Sequence, residues 1–201
     1  MSHYYTNNVD LETHETRIPF QYRKHQLTFI SDIGVFSKER VDYGSRVLLD
    51  CMDIQANQRS LLDVGCGYGT LGVSLKKEYP WLHVEMVDVN ERAVHLANQS
   101  CQYNDVEDIK AYLSFAYENV VGTFDVIVSN PPIRAGKKVV FEILEKAFDF
   151  LNENGELIVV IQNKQGAPSA QKKMNEVFGN CEIIKRDKGY FILKSIRNTD
   201  F

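Results

Sequence analysis

A short run of residues after an apolar stretch has the composition of a site that binds an amine. Asn130-Pro131-Pro132-Ile133 follows the segment 124–129, whose β-branched residues predict a strand. The prolines end that strand, and the first of them holds Asn130 in an extended conformation. The Asn130 side-chain oxygen and a neighbouring peptide carbonyl can then accept both hydrogens of a planar NH2 group, which suits an enzyme that modifies an exocyclic amine or an amide. The alternative is a proline-terminated strand with an asparagine turn.

A glycine-rich segment upstream predicts a ligand-binding loop. Residues 61–72 run from a short apolar strand through a glycine-rich turn into a helix. Gly65, Gly67 and Gly69 let the backbone turn tightly and approach a ligand, and the helix N-terminus supplies free N–H groups. The loop also fits the dinucleotide pattern GxGxxG. However, the carboxylate of Asp63 at the strand end suits a cationic ligand better than a pyrophosphate.

A second carboxylate ends the next predicted strand. Asp88 follows Gly69 by about 20 residues, where an acid commonly holds the ribose hydroxyls in nucleotide-binding α/β folds. The alternative for Asp88 is a helix N-cap, although Asn90, with Glu91 in the first turn, fits that role equally well.

These residues require a scaffold of alternating strands and helices. The sequence predicts strands at 60–64, 83–88, 109–113, 124–129 and 156–162. It predicts helices at 42–54, 70–78, 91–103, 138–151 and 169–178, and Asn154-Gly155 is expected to close the fourth of them. The chain then ends in a predicted hairpin of strands 181–185 and 190–195, joined by a turn at Asp187-Lys188-Gly189. This order predicts an α/β fold: a Rossmann-like, seven-stranded, mostly parallel sheet with one antiparallel strand and helices on both faces. Ligands bind beyond the carboxyl ends of such strands, where Asp63, Asp88 and Asn130 all lie.

Composition limits the possible classes of protein. With 201 residues, 44% of them hydrophobic, the chain matches one ordinary globular domain. It contains no run near the roughly 20 apolar residues of a membrane span and no apolar core of a signal peptide, so we expect a cytoplasmic protein without a membrane partner. The four cysteines form no C-x-x-C pair, so we expect neither a metal site nor a disulfide framework. A net charge of −4 argues against a broad basic face for nucleic acid.

Together the motifs resemble the class I S-adenosylmethionine-dependent methyltransferases, and among them the "small domain" group that includes the ribosomal RNA guanine-N2 methyltransferases. Segment 63–69 matches their cofactor loop, Asp88 matches their ribose-binding acid, and Asn130-Pro131-Pro132 matches their catalytic motif. Segment 34–49, with Gly-Val-Phe-Ser, Asp-x-Gly-Ser and Leu-Leu, matches the stretch that precedes the cofactor loop in this group.

The resemblance covers nearly the whole chain and implies a set of roles. The residues themselves predict a loosely ordered segment at 1–20 and, within an N-terminal β-arm and helix at 25–54, a β-hairpin at 25–36 where apolar and polar residues alternate. The resemblance implies one methyltransferase domain over 1–201, with a Rossmann-like core at 58–201. It implies S-adenosylmethionine as the cofactor and ribosomal RNA, or a ribosomal subunit, as the partner. The implied residues are Asn130, Pro131, Pro132 and Ile133 for catalysis, Asp63, Gly65, Gly67, Gly69, Asp88, Asn90, Ser114 and Phe115 for the cofactor, and Phe36, Ser37, Arg134, Lys137 and Lys138 for the substrate.

Two positions depart from the family pattern. The fourth motif residue is usually an aromatic ring that stacks on the flipped base, and here it is Ile133, which offers only an apolar face, with Phe36 as a second one. The third strand usually ends in a Ser-Asp-like pair whose acid contacts adenine. Here Ser114 is followed by Phe115, so either this ring packs on the adenine or a backbone N–H recognises it.

Other functions stay open on the sequence alone. A protein glutamine methyltransferase also binds an amide with a related motif, although such enzymes usually carry an aromatic fourth residue and an added helical domain. A cofactor-binding interaction module without catalysis is a second alternative. An NAD oxidoreductase is disfavoured because Asn-Pro-Pro has no role in hydride transfer. The cluster of Arg134, Lys137 and Lys138 is either a solvated face or, given its place beside the motif, a set of RNA phosphate contacts.

Overall fold

The computed structural model describes residues 14–32, 35 and 39–199. Within them the chain alternates between strands and helices, with two short 3-10 helices at Ile133–Ala135 and Asn163–Gln165. In chain order the elements are β1 (Thr16–Tyr22), β2 (His25–Ser31), α1 (Tyr43–Cys51), β3 (Ser60–Val64), α2 (Thr70–Glu78), β4 (His83–Asp88), α3 (Glu91–Tyr103), β5 (Ile109–Leu113), β6 (Phe124–Ser129), α4 (Lys137–Phe150), β7 (Leu151–Gln162), α5 (Ala167–Phe178), β8 (Glu182–Asp187) and β9 (Tyr190–Ile196).

The central sheet confirms the predicted fold class. Its seven strands lie in the order β5-β4-β3-β6-β7-β9-β8, and β9 runs antiparallel to both of its neighbours. From β3 the chain moves outward through β4 and β5 and then returns to β6 on the other side. Strand order therefore reverses between β3 and β6, and a crevice for ligands forms beyond the carboxyl ends of strands at such a point. Asp63 and Asn130 flank this point.

Alternating side chains give the sheet two apolar faces, each covered by helices. Leu61 and Val126 face a core to which α1, α2 and α3 contribute buried residues. Leu62 and Ile127, one position further along the same strands, face a second core that α4 and α5 cover. The predicted helices on both faces are therefore confirmed, and both cores keep the strand ends in fixed positions.

The N-terminal hairpin differs from the predicted one. We expected a hairpin within 25–36 and loose order up to residue 20, but β1 already begins at Thr16 and pairs antiparallel with β2 through a turn at Arg23 and Lys24. Ile18 and Tyr22 alternate with exposed residues along β1, a strand pattern that Pro19 obscured in the sequence. Residues 1–13 lie outside the described part of the chain.

The hairpin packs on the core instead of extending as an arm. The Ile30 N–H of β2 donates to Ser100 Oγ at 3.0 Å, and the Thr28 N–H donates to Asn104 Oδ1 at 2.9 Å, both on the α3 side. The Tyr22 hydroxyl donates to the Leu49 carbonyl of α1 at 3.1 Å. The hairpin thus joins α1 to α3 across one face of the sheet.

Several predicted boundaries differ from the structure: β7 begins at Leu151 and not at 156, β8 spans Glu182–Asp187, and α5 begins at Ala167. Helix α1 ends at Cys51 and not at 54, because Met52 is already extended. Asn154-Gly155 does not close α4, which ends at Phe150, but lies inside the long strand β7. Asn154 has a left-handed φ of 62°, and its N–H donates to the Arg197 carbonyl at 2.8 Å, so the turn signal marks an irregularity in the strand. The predicted closing turn is confirmed at Lys188 and Gly189, both with positive φ.

All four cysteines are free thiols. Among the described helices, none combines the length and the apolar character needed to cross a membrane.

Candidate active site

Backbone hydrogen bonds to the end of β4 hold the glycine-rich loop that follows β3. The N–H groups of Gly65 and Cys66 donate to the Val87 carbonyl of β4 at 2.8 and 2.9 Å. Gly65, Gly67 and Gly69 have φ values of 75°, 55° and 97°, a region that favours glycine, so the sequence and the turn agree. Helix α2 begins directly afterwards at Thr70.

The Asp88 carboxylate holds this loop from the end of β4. One oxygen accepts the Gly67 N–H at 2.9 Å, the other accepts the Asn90 N–H at 3.0 Å, and the residue is only 2% exposed. The structure also decides between the two predicted caps of α3. Asn90 Oδ1 accepts the Arg92 and Ala93 N–H groups at 2.9 and 3.3 Å, so Asn90 is the N-cap and Asp88 ends the strand.

Asp63 is a fully buried carboxyl with one oxygen to spare. Its Oδ2 accepts the Gly72 N–H at 3.0 Å, whereas its Oδ1 has no hydrogen-bond partner among the described residues. Burial raises the pKa of Asp63 to about 7, the Gly72 N–H opposes that shift, and the charge of Asp88 adds to it. An orphaned carboxylate oxygen next to a second buried acid is a suitable environment for a cationic ligand.

The end of β5 lies on the other side of β4 from the glycine-rich loop. The Ser114 N–H donates to the Asp88 carbonyl at 3.0 Å, and its hydroxyl donates to the Ala116 carbonyl at 2.8 Å and accepts the Asn119 N–H at 3.0 Å. The Ser114 hydroxyl therefore shapes its own loop. Phe115, the next residue, is 42% exposed, so its ring offers an apolar surface beside the carboxyl end of β4.

The Asn-Pro-Pro motif lies directly beside the glycine-rich loop. Strand β6 ends at Ser129, whose hydroxyl donates to the Val64 carbonyl of β3 at 2.7 Å. A Cβ atom on Gly65 would lie 3.6 Å from Pro132 Cδ, so the proline ring packs against the loop backbone. The structure thus brings together the two motifs that the sequence placed 60 residues apart or more.

The Asn130 amide is bound to the start of α1. Its Nδ2 donates to Asp42 Oδ2 at 2.9 Å and to Ser45 Oγ at 3.1 Å. Asp42 is also the N-cap of α1, accepting the Ser45 N–H at 3.1 Å. Sequence reasoning assigned no role to Asp42 or Ser45; the signal that could have found them is the Asp-x-x-Ser pattern of a helix start.

The structure describes the residues after the Asn-Pro-Pro motif that were proposed to contact the substrate, but not those proposed upstream. Ile133 is half-buried in a one-turn 3-10 helix, and the basic residues Arg134, Lys137 and Lys138 that follow are all exposed. Lys137 Nζ lies 4.9 Å from the centre of the Phe141 ring. Phe36 and Ser37 lie outside the described residues.

The described residues offer no candidate metal site. Within residues 14–32, 35 and 39–199, no group of three or more His, Cys, Asp or Glu side chains is arranged to hold a metal ion.

Sequence comparison relates the chain to a family and to named proteins. Residues 26–194 match the model of the methyltransferase small domain. The protein "Uncharacterized protein YbxB" of Bacillus subtilis is 45% identical over 195 residues, which cover 96% of this chain and 97% of that protein. "Ribosomal RNA small subunit methyltransferase C" of Aeromonas hydrophila is 39% identical over 139 residues, covering 67% of this chain but 40% of that protein.

Comparison with solved structures shows the same fold in a second protein. The "16S rRNA N2 G1207 methyltransferase (RsmC) in complex with AdoMet and Guanosine" of T. thermophilus superposes with a TM-score of 0.78 at 24% identity, covering 93% of this chain and 50% of that chain. The chain therefore spans nearly the whole Bacillus protein, but half or less of these two named methyltransferases.

Proposed function

The chain belongs to the methyltransferase small domain family, and we propose that it transfers a methyl group from S-adenosylmethionine to the exocyclic amine N2 of a guanine in ribosomal RNA. The observation that carries this proposal is the Asn130 amide at the end of β6, next to a glycine-rich loop with two buried acids. Named relatives that methylate ribosomal RNA support the substrate class. We further propose that residues 1–201 form a single domain and that the reaction takes place in the cytoplasm.

The loop region fits the cofactor. When bound, S-adenosylmethionine supplies an electrophilic methyl group on a positively charged sulfonium. Asp88 would accept hydrogen bonds from ribose hydroxyls, Phe115 would pack on the adenine ring, and Asp63 would complement positive charge on the methionine portion. The unpartnered Asp63 Oδ1 and the positive φ of Gly65, which favours a residue without a side chain in this loop, support this assignment. Asn90 Oδ1 already accepts two backbone N–H groups, and the Ser114 hydroxyl both donates to and accepts from the backbone, so these side chains act through the loops that they hold. A carboxylate such as that of Asp88 has about four acceptor sites and can bind backbone and ribose together.

Asn130 orients the nucleophile. A guanine N2 is a poor nucleophile because its lone pair is delocalised into the ring. Hydrogen bonds from its N–H groups to Asn130 Oδ1 and the Pro131 carbonyl would fix its position and stabilise the positive charge that develops on nitrogen. Orientation of this kind can supply roughly 7–11 kcal/mol of barrier reduction. The base must leave its stack to reach this position, so a flipped or single-stranded guanine is the expected target, with Ile133 against its face.

The basic residues after the motif are better explained by RNA binding than by stability. Lys137 and Lys138 form the first turn of the 14-residue helix α4, where the helix dipole is positive. Cations there are unfavourable to the helix by about 0.3–1 kcal/mol each, whereas a phosphate group is attracted by the dipole and by the lysines. Arg134 precedes them in the 3-10 helix and is exposed.

Replacing Arg134, Lys137 and Lys138 together with Ala should weaken RNA binding and make it less dependent on salt. Each phosphate contact on a single strand contributes about 0.7 to the slope of log K against log salt, so three lost contacts should lower it by about 2. A charge-matched control replaces the exposed Lys110, Lys146 and Lys172 with Ala. Equal slopes for the two triple variants, measured by fluorescence anisotropy, would show that the cluster does not contact phosphate.

Cofactor affinity should rise with pH through the titration of Asp63. Because its pKa is raised to about 7, the group is mostly protonated at pH 6 and must lose its proton to complement a cation. Affinity should therefore increase by up to about tenfold between pH 6 and 8 and level off above pH 7. Asp63→Asn keeps an oxygen for the Gly72 N–H and should bind more weakly with a flat profile. A wild-type profile that matches this variant in calorimetry would contradict the assignment.

The direct test of the proposal is methyl transfer from labelled S-adenosylmethionine into total RNA, followed by nucleoside identification. We expect N2-methylguanosine in ribosomal RNA, and the loss of one such residue in a deletion strain by mass spectrometry. Purified subunits and naked RNA are assayed in parallel to identify the form of the substrate. Label in protein glutamine instead of RNA would favour the protein methyltransferase, and cofactor binding without any transfer would favour an interaction module.

A further inference from the structure

We propose that Asp42 and Ser45 are positioning residues for catalysis, which hold the Asn130 amide with its nitrogen toward helix α1 and its oxygen toward the substrate. This inference rests on the proposed function of Asn130. It assigns a catalytic purpose to the segment before the cofactor loop, where α1 begins.

Hydrogen-bond chemistry fixes which way the amide faces. Asp42 Oδ2 lies 2.9 Å from Asn130 Nδ2, and an ionised carboxylate can only accept hydrogen bonds. The Asn130 atom facing it must therefore be the NH2 group. The Ser45 hydroxyl, 3.1 Å from the same nitrogen, can donate or accept, so Asp42 decides the orientation and Ser45 adds a second acceptor.

The opposite orientation would be inactive. An amide rotated by half a turn would direct its NH2 group at the substrate amine, placing a donor against a donor. It would also direct its oxygen at the Asp42 carboxylate, placing an acceptor against an acceptor. Both contacts are favourable only in the orientation that the structure shows.

Asp42 is itself held firmly. Its Oδ2 accepts the Ser45 N–H at 3.1 Å as the N-cap of α1. The first turn of α1 packs closely on β9: a Cβ atom on Gly44 would lie 2.9 Å from the Tyr190 ring, and the Tyr43 and Tyr190 ring centres are 5.5 Å apart. Ser45 is only 4% exposed. The acceptors that face Asn130 therefore lie on a packed helix start and not on a free loop.

Two substitutions at position 42 separate positioning from helix capping. Ser and Asn cap helices about as well as Asp, so both Asp42→Ser and Asp42→Asn should keep the α1 start. The Asn side chain also has the length to reach Asn130 with its oxygen, whereas the Ser side chain is too short. Asp42→Ser should therefore lower kcat by about 10- to 100-fold, and Asp42→Asn should stay within a few-fold of the wild type.

The pattern across the kinetic constants identifies the role. Both variants should keep the wild-type melting temperature, cofactor affinity and KM for RNA, since only the orientation of one amide changes. Ser45→Ala should lower kcat less than Asp42→Ser does, because Asp42 still fixes the amide. Equal kcat values for Asp42→Ser and Asp42→Asn would overturn the proposal and leave Asp42 as a helix cap alone.

A measurement without catalysis tests the geometry separately. The side-chain NH2 signal of Asn130, identified by its absence in Asn130→Ala, should exchange slowly with water in the wild type and in Asp42→Asn. It should exchange rapidly in Asp42→Ser. Rapid exchange in the wild type would overturn the proposal. A wild-type protein with a protected amide but no methyl transfer into RNA would instead refute the proposed function and leave the geometry standing.

Discussion

Replacing Asn130 with Ala should abolish methyl transfer while the affinity for S-adenosylmethionine stays unchanged. Loss of a single preorganised polar group that stabilises developing charge typically lowers kcat by about 10²- to 10³-fold, and Asn130 also orients the nucleophile. The Asn130 amide contacts the start of α1, whereas the contacts of the glycine-rich loop involve Asp88, Val87 and Asp63. Single-turnover kinetics and calorimetry measure the two quantities separately.

A second asparagine provides a matched control at the opposite end of β6. Asn152 Nδ2 donates to Asp125 Oδ1 at 2.8 Å, an amide–carboxylate contact like that of Asn130 with Asp42. Asn152→Ala should keep wild-type turnover because Asn152, the second residue of β7, lies beside the amino end of β6, whereas Asn130 follows its carboxyl end. Near-wild-type turnover in Asn130→Ala would refute amine binding by this residue, and a parallel fall in cofactor affinity would indicate a distorted strand end.

Replacing Asp88 with Ala should weaken cofactor binding by about 10- to 150-fold. Charge-assisted hydrogen bonds contribute about 1.5–3 kcal/mol, and each 1.4 kcal/mol is a factor of ten in affinity. The structure adds a second reason, because the same carboxylate accepts the Gly67 N–H and thereby holds the loop. Calorimetry with S-adenosylmethionine and with its demethylated product measures the effect, which should be similar for both since the ribose is common to them.

The control for Asp88 is a carboxylate with a purely structural task. Asp125, near the amino end of β6, accepts the Arg59 and Ser60 N–H groups at 2.7 and 3.1 Å. Asp125→Ala should lower the melting temperature without changing cofactor affinity. If Asp88→Ala behaves in the same way, Asp88 holds the loop and does not contact the ribose.

The strand ends that carry the proposed site residues lie where the sequence placed them, because local chemistry determines those ends. An apolar run that stops at Asp63, Asp88 or Asn130 marks the carboxyl end of a parallel strand, and the α/β topology collects such ends at one edge. The contact between Gly65 and Pro132 then follows from the neighbouring positions of β3 and β6. Helices and strands from residue 60 to residue 129 accordingly have the predicted bounds.

Misassigned or missed features depend on contacts between distant residues. Pro19 argues against a strand locally, but β1 tolerates it as one strand of an isolated pair that packs on the helices. Asn154-Gly155 is a strong turn signal, yet hydrogen bonds of both residues to Arg197 keep this irregular segment within β7. The Asp-x-x-Ser pattern marks Asp42 as the start of a helix, but its contact with Asn130, 88 residues away, follows only from the packing of α1.

The attachment of the hairpin to α3 has a consequence for synthesis of the chain. Its hydrogen bonds join Ile30 to Ser100 and Thr28 to Asn104, separations of 70 and 76 residues. At roughly 5–20 residues per second, the ribosome needs about 4–15 s after making β2 before these partners exist. An isolated two-stranded hairpin is only marginally stable in water, so Leu27 and Phe29, which are buried in the folded protein, remain exposed during that interval. Of the described elements the hairpin is translated first, so it needs protection from aggregation until α3 is complete.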